Sequence, residues 1–140
     1  MAGGRGSWQL EKEMAGDFKD LMAYKKGFQL AMGVYELSKT FPVHEKYSLT
    51  DQIRRSSRSI CANIAEAYRK RRYPAHFVSK LTDSDAENSE TQVWLSFSLA
   101  CQYISQDEHD QLTSLSQEVG RLIAYMISNS VKFCPQALAL

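Results

Sequence analysis

The sequence predicts an all-α protein, an antiparallel up-down-up-down four-helix bundle. Three observations lead there. Apolar residues recur at helical spacing through four long stretches, and no stretch alternates with the period of a strand. The three prolines, Pro42, Pro74 and Pro135, stand where helical patterns stop or restart. The links between the stretches are short, so chain neighbours are expected to pack as antiparallel pairs. The 140 residues make one domain, and 44% hydrophobic with 24% charged residues suffices to bury a core without disulfides or metal.

Residues 1–16 are rich in glycine and charge and read as a flexible arm, in which Trp8 and Leu10 are the residues able to dock. The arm lacks the apolar block of a secretory signal. No run in the chain reaches the ~18 apolar residues of a membrane span. Helix 1 is expected over about 17–40, with Asp17 as N-cap. Phe18, Leu21, Phe28, Met32 and Tyr35 form one apolar line, and Leu30, Val34, Leu37 and Phe41 a second beside it. Gly27 and Gly33 mark close contact with a neighbour. After the link at 41–47, Ser48 and Asp51 resemble a capping box and helix 2 spans about 49–72. Helix 3 follows over about 74–104, with Pro74 in its first turn. Its ends are apolar, but the middle, 82–92, has almost no oily residues and four acids. Trp94, Leu95 and Phe97 set apolar groups on several sides of helix 3, which points to a subunit interface. Ser105 and Glu108 make a capping box for helix 4, about 106–133. Leu112, Leu115, Val119, Leu122, Met126 and Ile127 give that helix a near-heptad seam. Residues 135–140 form a tail.

Helix 2 is the organising stretch. Wound at about 100° per residue, it gathers Leu49, Ile53, Ile60, Ile64, Ala67 and Tyr68 within an arc of about 100°. Arg54, Arg58, Arg69 and Arg72 gather within about 60° on another face, beside Arg55. Ser56, Ser57, Cys61, Ala62 and Ala65 are small enough to let a neighbouring helix approach. From Asp51 to Arg72 seven Lys/Arg face two acids, a local charge of +5 in a chain whose net charge is +1.

Three readings of that basic face compete. Arg54, Arg55, Arg58, Arg69, Lys70, Arg71 and Arg72 could track nucleic-acid phosphates, with Tyr73 stacking on a base. They could pair with Asp83, Asp85, Glu87 and Glu90 of helix 3, in the same or the next subunit. They could also form a plain solvated face. The decision is local: arginines in excess of the acids within reach remain available to phosphate. Asn63 and Glu66 lie at the border of the apolar face, one turn apart. They are expected to form a buried polar network that fixes helix register, with Thr91, Gln92 or an arginine as partners.

No catalytic set is visible. There is no Glu-x-x-His of the kind di-iron bundles use, and His44, His76 and His109 are scattered at or near helix ends. Cys61, Cys101 and Cys134 are odd in number and lack zinc spacing, which suits a reducing cytoplasm. Cys61 and Cys101 read as packing residues rather than nucleophiles. Neither a metal nor a cofactor is expected.

Three segments carry a family resemblance: FKDLMAYKKGFQLAMGVYELSKTFP, EKYSLTDQIRRSSRSICANIAEAY and AENSETQVWLSFSLACQYI. The most specific residues are Gln52, Ile53, Arg54 and Arg55, then Ser59 and Ile60, then Asn63, Ile64, Ala65 and Glu66. Glu87, Glu90, Thr91, Trp94 and Leu95 follow. Together they resemble the four-helix-bundle family named after proteins encoded in 23S rRNA intervening sequences. The accessory variability protein of diversity-generating retroelements is similar. The resemblance implies a ring-like homo-oligomer, typically a homopentamer. For the retroelement relatives it also implies binding of nucleic acid and of a reverse transcriptase through a basic surface. Where the family has Gly after the Glu66 position this chain has Ala67, so helix 2 is expected to continue further. The expected protein is thus a cytoplasmic, non-enzymatic module that binds RNA or DNA. The alternative is a structural or adaptor ring for a protein partner.

Overall fold

Four long helices organise residues 16–135, the part of the chain that the computed structural model describes. They are α1 (Met22–Ser38), α2 (Leu49–Arg69), α3 (Pro74–Ala100) and α4 (Gln106–Ser128), followed by a single-turn α5 (Ser130–Phe133). Two 3-10 turns, Phe18–Asp20 and Val43–Glu45, precede α1 and α2. No strand occurs among the described residues. The arm at 1–15, with Trp8 and Leu10, and the tail at 136–140 lie outside them.

Each helix packs against its chain neighbours, and α1 also packs against α4, which closes a four-helix bundle. The α2–α3 seam is the most extensive. Arg55 meets Glu87 and Glu90 towards one end of it, and Glu66 meets Lys80 towards the other. Leu30, Ile53, Ile60, Ile64, Phe77, Leu81, Leu95, Val119 and Ile123 are fully buried between the helices. The six residues expected on the apolar arc of α2 are all buried, and so are Ser56, Ser57 and Cys61. Gly27 brings α1 onto α2: a Cβ there would meet Cys61 Sγ at 3.2 Å and Ile60 Cγ2 at 3.3 Å.

Several expected boundaries move. Asp17 caps the first 3-10 turn, accepting from Lys19 N at 3.1 Å. Leu21 is then extended, so α1 starts five residues later than its pattern suggests. The Ser48–Asp51 box does not form. Glu45 takes that role, its carboxylate accepting from Ser48 Oγ at 2.6 Å and from Leu49 N at 3.4 Å. Helix α2 stops at Arg69 rather than running to 72. Pro74 opens α3, and the residue before a proline is driven out of the helical region. Tyr73 accordingly has φ −121° and ψ 94°, leaving Lys70, Arg71 and Arg72 in the turn. Helix α3 ends at Ala100 because Gln102 turns left-handed at φ 62°. Tyr103 N donates to Ser98 O and Gln102 N to Leu99 O, both at 2.9 Å, closing a Schellman cap. The Ser105–Glu108 box does form, with Glu108 N on Ser105 Oγ at 3.1 Å and Ser105 N on Glu108 Oε1 at 2.9 Å.

The oil-poor middle of α3 buries one side all the same. Phe77, Leu81, Ser84, Asn88, Thr91, Leu95 and Ser98 form one inward heptad line whose centre is polar. Ser84 Oγ donates to Ile60 O at 2.8 Å, and the Ser56 and Thr91 hydroxyls lie 2.9 Å apart. Asn88 Nδ2 donates to Ser116 O at 2.9 Å, and Ser116 Oγ donates back to Asn88 Oδ1 at 2.7 Å. This polar waist links α3 to both of its neighbours.

Candidate nucleic-acid interface

Asn63 and Glu66 do not form the expected buried network. Asn63 Nδ2 donates to Ser59 O of its own helix at 2.9 Å. The Glu66 side chain is more than half exposed and pairs with Lys80 Nζ at 2.8 Å, a bond that holds its carboxyl below the usual range. Of the residues expected in that network, Thr91 alone is buried in the waist. Glu87 and Glu90 instead flank Arg55, whose Nη1 lies 3.2 Å from Glu87 Oε2 while Nη2 bonds Glu90. Burial raises the Glu90 carboxyl, but the bonds to Arg55 and Trp94 outweigh it and leave its pKa lowered.

The expected cations separate into three environments. Arg55 is neutralised by the two acids. Arg54 and Arg58 have no carboxylate partner among the described residues. Arg54 Nε donates to Ser38 Oγ at 2.8 Å, and its guanidinium carbon lies 5.0 Å from the Tyr35 ring centre. Arg58 lies 5.9 Å from the same ring, and Lys39 Nζ 4.9 Å from it. One aromatic ring therefore orders three cations without neutralising Arg54 or Arg58.

The third group lies at the end of α2 and in the turn after it, with Arg69 on the order of 20 Å from Arg54. Arg69 stands 5.9 Å from the Phe18 ring. Arg71 folds back onto Tyr68, 3.6 Å from its ring centre, with Nε donating to Tyr68 O at 2.8 Å. Burial lowers the pKa of its guanidinium, so Arg71 is a packing residue as much as a surface cation. Lys70, Arg72 and Tyr73 are exposed, and Tyr73 is 5.6 Å from His76. The single basic face expected over 54–72 is therefore two patches: one on α2 and one on the turn after it.

Sequence reasoning missed Lys46 and Tyr47, which join the first patch from the link before α2. Tyr47 is 85% exposed, with Lys46 Nζ 5.3 Å from its ring. The signal was an aromatic beside a lysine two residues ahead of the helix, in a stretch read only as a connector. Among the described residues no three of His, Cys, Asp and Glu converge as a metal set. Burial pushes the Cys61 thiol up to about 11, which suits packing rather than nucleophilic work. No helix among the described residues is long and apolar enough to cross a membrane.

The family of 23S rRNA-intervening sequence proteins matches residues 19–125. The chain belongs to that family. It is also similar to a solved structure from Bacteroides thetaiotaomicron VPI-5482, a protein with unknown function from the S23 ribosomal protein family. Identity is 30% and the TM-score 0.71, and the match covers 79% of this chain and 98% of that one. No curated protein matches. The family match runs from before α1 into the last turns of α4. Both cationic patches therefore lie on the shared framework.

Proposed function

We propose that this family member is a non-enzymatic, cytoplasmic accessory module that binds RNA or DNA through the cations of α2. The observation behind the proposal is the surplus of guanidinium groups. Arg55 takes both nearby acids, while Arg54 and Arg58 are ordered by an aromatic ring and retain their charge. Arginine held this way is suited to bidentate phosphate contact. The association of the family with 23S rRNA intervening sequences makes RNA the first ligand to try.

The proposal includes an antiparallel up-down-up-down topology and assembly as a ring-like homo-oligomer, taken as a pentamer from the family resemblance. Phe28 and Met32 of α1 and Val93 and Phe97 of α3 are all about half exposed. Helices α1 and α3 are diagonal in the bundle, so these are two separate apolar faces. Two different faces favour a head-to-tail contact, which closes into a ring when the rotation permits. The same apolar faces support a second reading, a structural or adaptor ring with a protein partner. A reverse transcriptase, as in the retroelement relatives, is the partner the resemblance suggests.

The test is RNA and DNA binding by fluorescence anisotropy across a salt series, wild type against Arg54→Ala/Arg58→Ala. Loss of two phosphate contacts is expected to reduce the slope of log affinity against log salt by about 1.4 on single strands. Wild-type protein that binds neither polymer at low salt removes the nucleic-acid reading and leaves the adaptor.

A further inference from the structure

The link before α2 and the first three turns of that helix enclose an open groove of about 550 Å³. Lys46, Tyr47, Thr50, Arg54 and Arg58 line it, together with Asp51, Arg55 and Ser59. With Arg55 neutralised by Glu87 and Glu90, three cations face the single carboxylate of Asp51. The groove is therefore an anion site by charge.

One further feature narrows the ligand. At the rim stands Tyr47, a large ring 85% exposed. An exposed ring beside a phosphate seat suits a base that is free to leave its own stack. We infer that this groove holds one unpaired nucleotide of a single strand, its phosphate between Arg54 and Arg58 and its base on Tyr47.

This assignment rests on the nucleic-acid reading above, and its test separates the two. Anisotropy of a labelled 20-nucleotide single-stranded RNA and of the matched duplex is measured for wild type, Tyr47→Ala and Arg54→Ala/Arg58→Ala, with a free mononucleotide as competitor. Tyr47→Ala is expected to weaken single-strand binding on the order of 10-fold and to leave duplex binding nearly unchanged. Competition by the mononucleotide at high concentration supports a nucleotide-sized seat. If Tyr47→Ala binds as wild type while Arg54→Ala/Arg58→Ala is impaired, the groove is overturned and the basic surface stands. If wild type binds no strand at all, both readings fall together. Tyr47 is exposed enough that its alanine variant keeps the fold, which unchanged thermal melting verifies.

Discussion

Gln102 sits where glycine is usual. Its left-handed backbone ends α3, and a side chain in that conformation is unfavourable by about 1–2 kcal/mol. Gln102→Gly is expected to raise stability by about 1 kcal/mol in urea denaturation, less what glycine's freedom in the unfolded chain removes. A second residue-scale device is Glu45. It accepts from Ser48 Oγ and from the Tyr103 hydroxyl, the latter at 2.8 Å, and these bonds hold its carboxyl below the usual range. The same contact pushes the Tyr103 hydroxyl up to about 12. Glu66 and Glu90 are also lowered. A carboxyl lowered by folding stabilises above its unfolded pKa, and that contribution is lost as pH falls through the folded value. The urea midpoint is therefore expected to hold between about pH 7 and pH 5 and to drop below the ordinary carboxyl value of 4.5. Glu45→Gln is expected to flatten part of that drop; an unchanged acid limb would remove Glu45 from the account.

At the scale of elements, Gly27 sets the α1–α2 distance. Its neighbours Ile60 and Cys61 are buried and have little room to yield. Gly27→Val is expected to destabilise by about 1–3 kcal/mol, read from chemical denaturation. The apolar arc of α2 was legible because isoleucines at helical spacing leave a single way to bury themselves. The end of α2 was misread because Ala67, Tyr68 and the arginines that follow are all acceptable in a helix. Only the restriction that Pro74 places on Tyr73, and the Arg71–Tyr68 stack, decide where the helix stops. The middle of α3 was harder. An oil-poor stretch reads as surface, and hydropathy alone does not reveal that Ser84, Asn88 and Thr91 continue the spacing of Leu81 and Leu95. Asn88→Ala removes both buried bonds to Ser116 and leaves its hydroxyl with Gln92 alone, and is expected to lower stability by about 1–3 kcal/mol in thermal or urea melts.

For the whole molecule, the four-helix bundle was legible from periodicity and proline placement. The site was legible only in part. Sequence spacing put Arg54 and Arg58 on one face, but it could not reveal that Tyr35 of another helix orders them. Nor could it separate Arg55 from its neighbours, since Glu87 and Glu90 are more than thirty residues away. Of the two apolar lines of α1, the second holds the core side through Leu30 and Val34, and Phe28 and Met32 of the first are half exposed. If that face and the Val93–Phe97 face meet in the proposed ring, Phe28→Glu and Phe97→Glu should each reduce the native mass to that of one chain while leaving far-UV circular dichroism intact. An unchanged mass from both variants would place any assembly contact elsewhere.

The polar waist has a consequence for how the helices find their alignment. Oily side chains tolerate being exchanged for one another, so a wholly greasy seam could slip by one heptad with little complaint. Here such a slip would set the Asn88 amide and the hydroxyls of Ser56, Thr91 and Ser116 against leucine and isoleucine, with nothing to bind. The bundle is indexed like the teeth of a key, and only one setting turns.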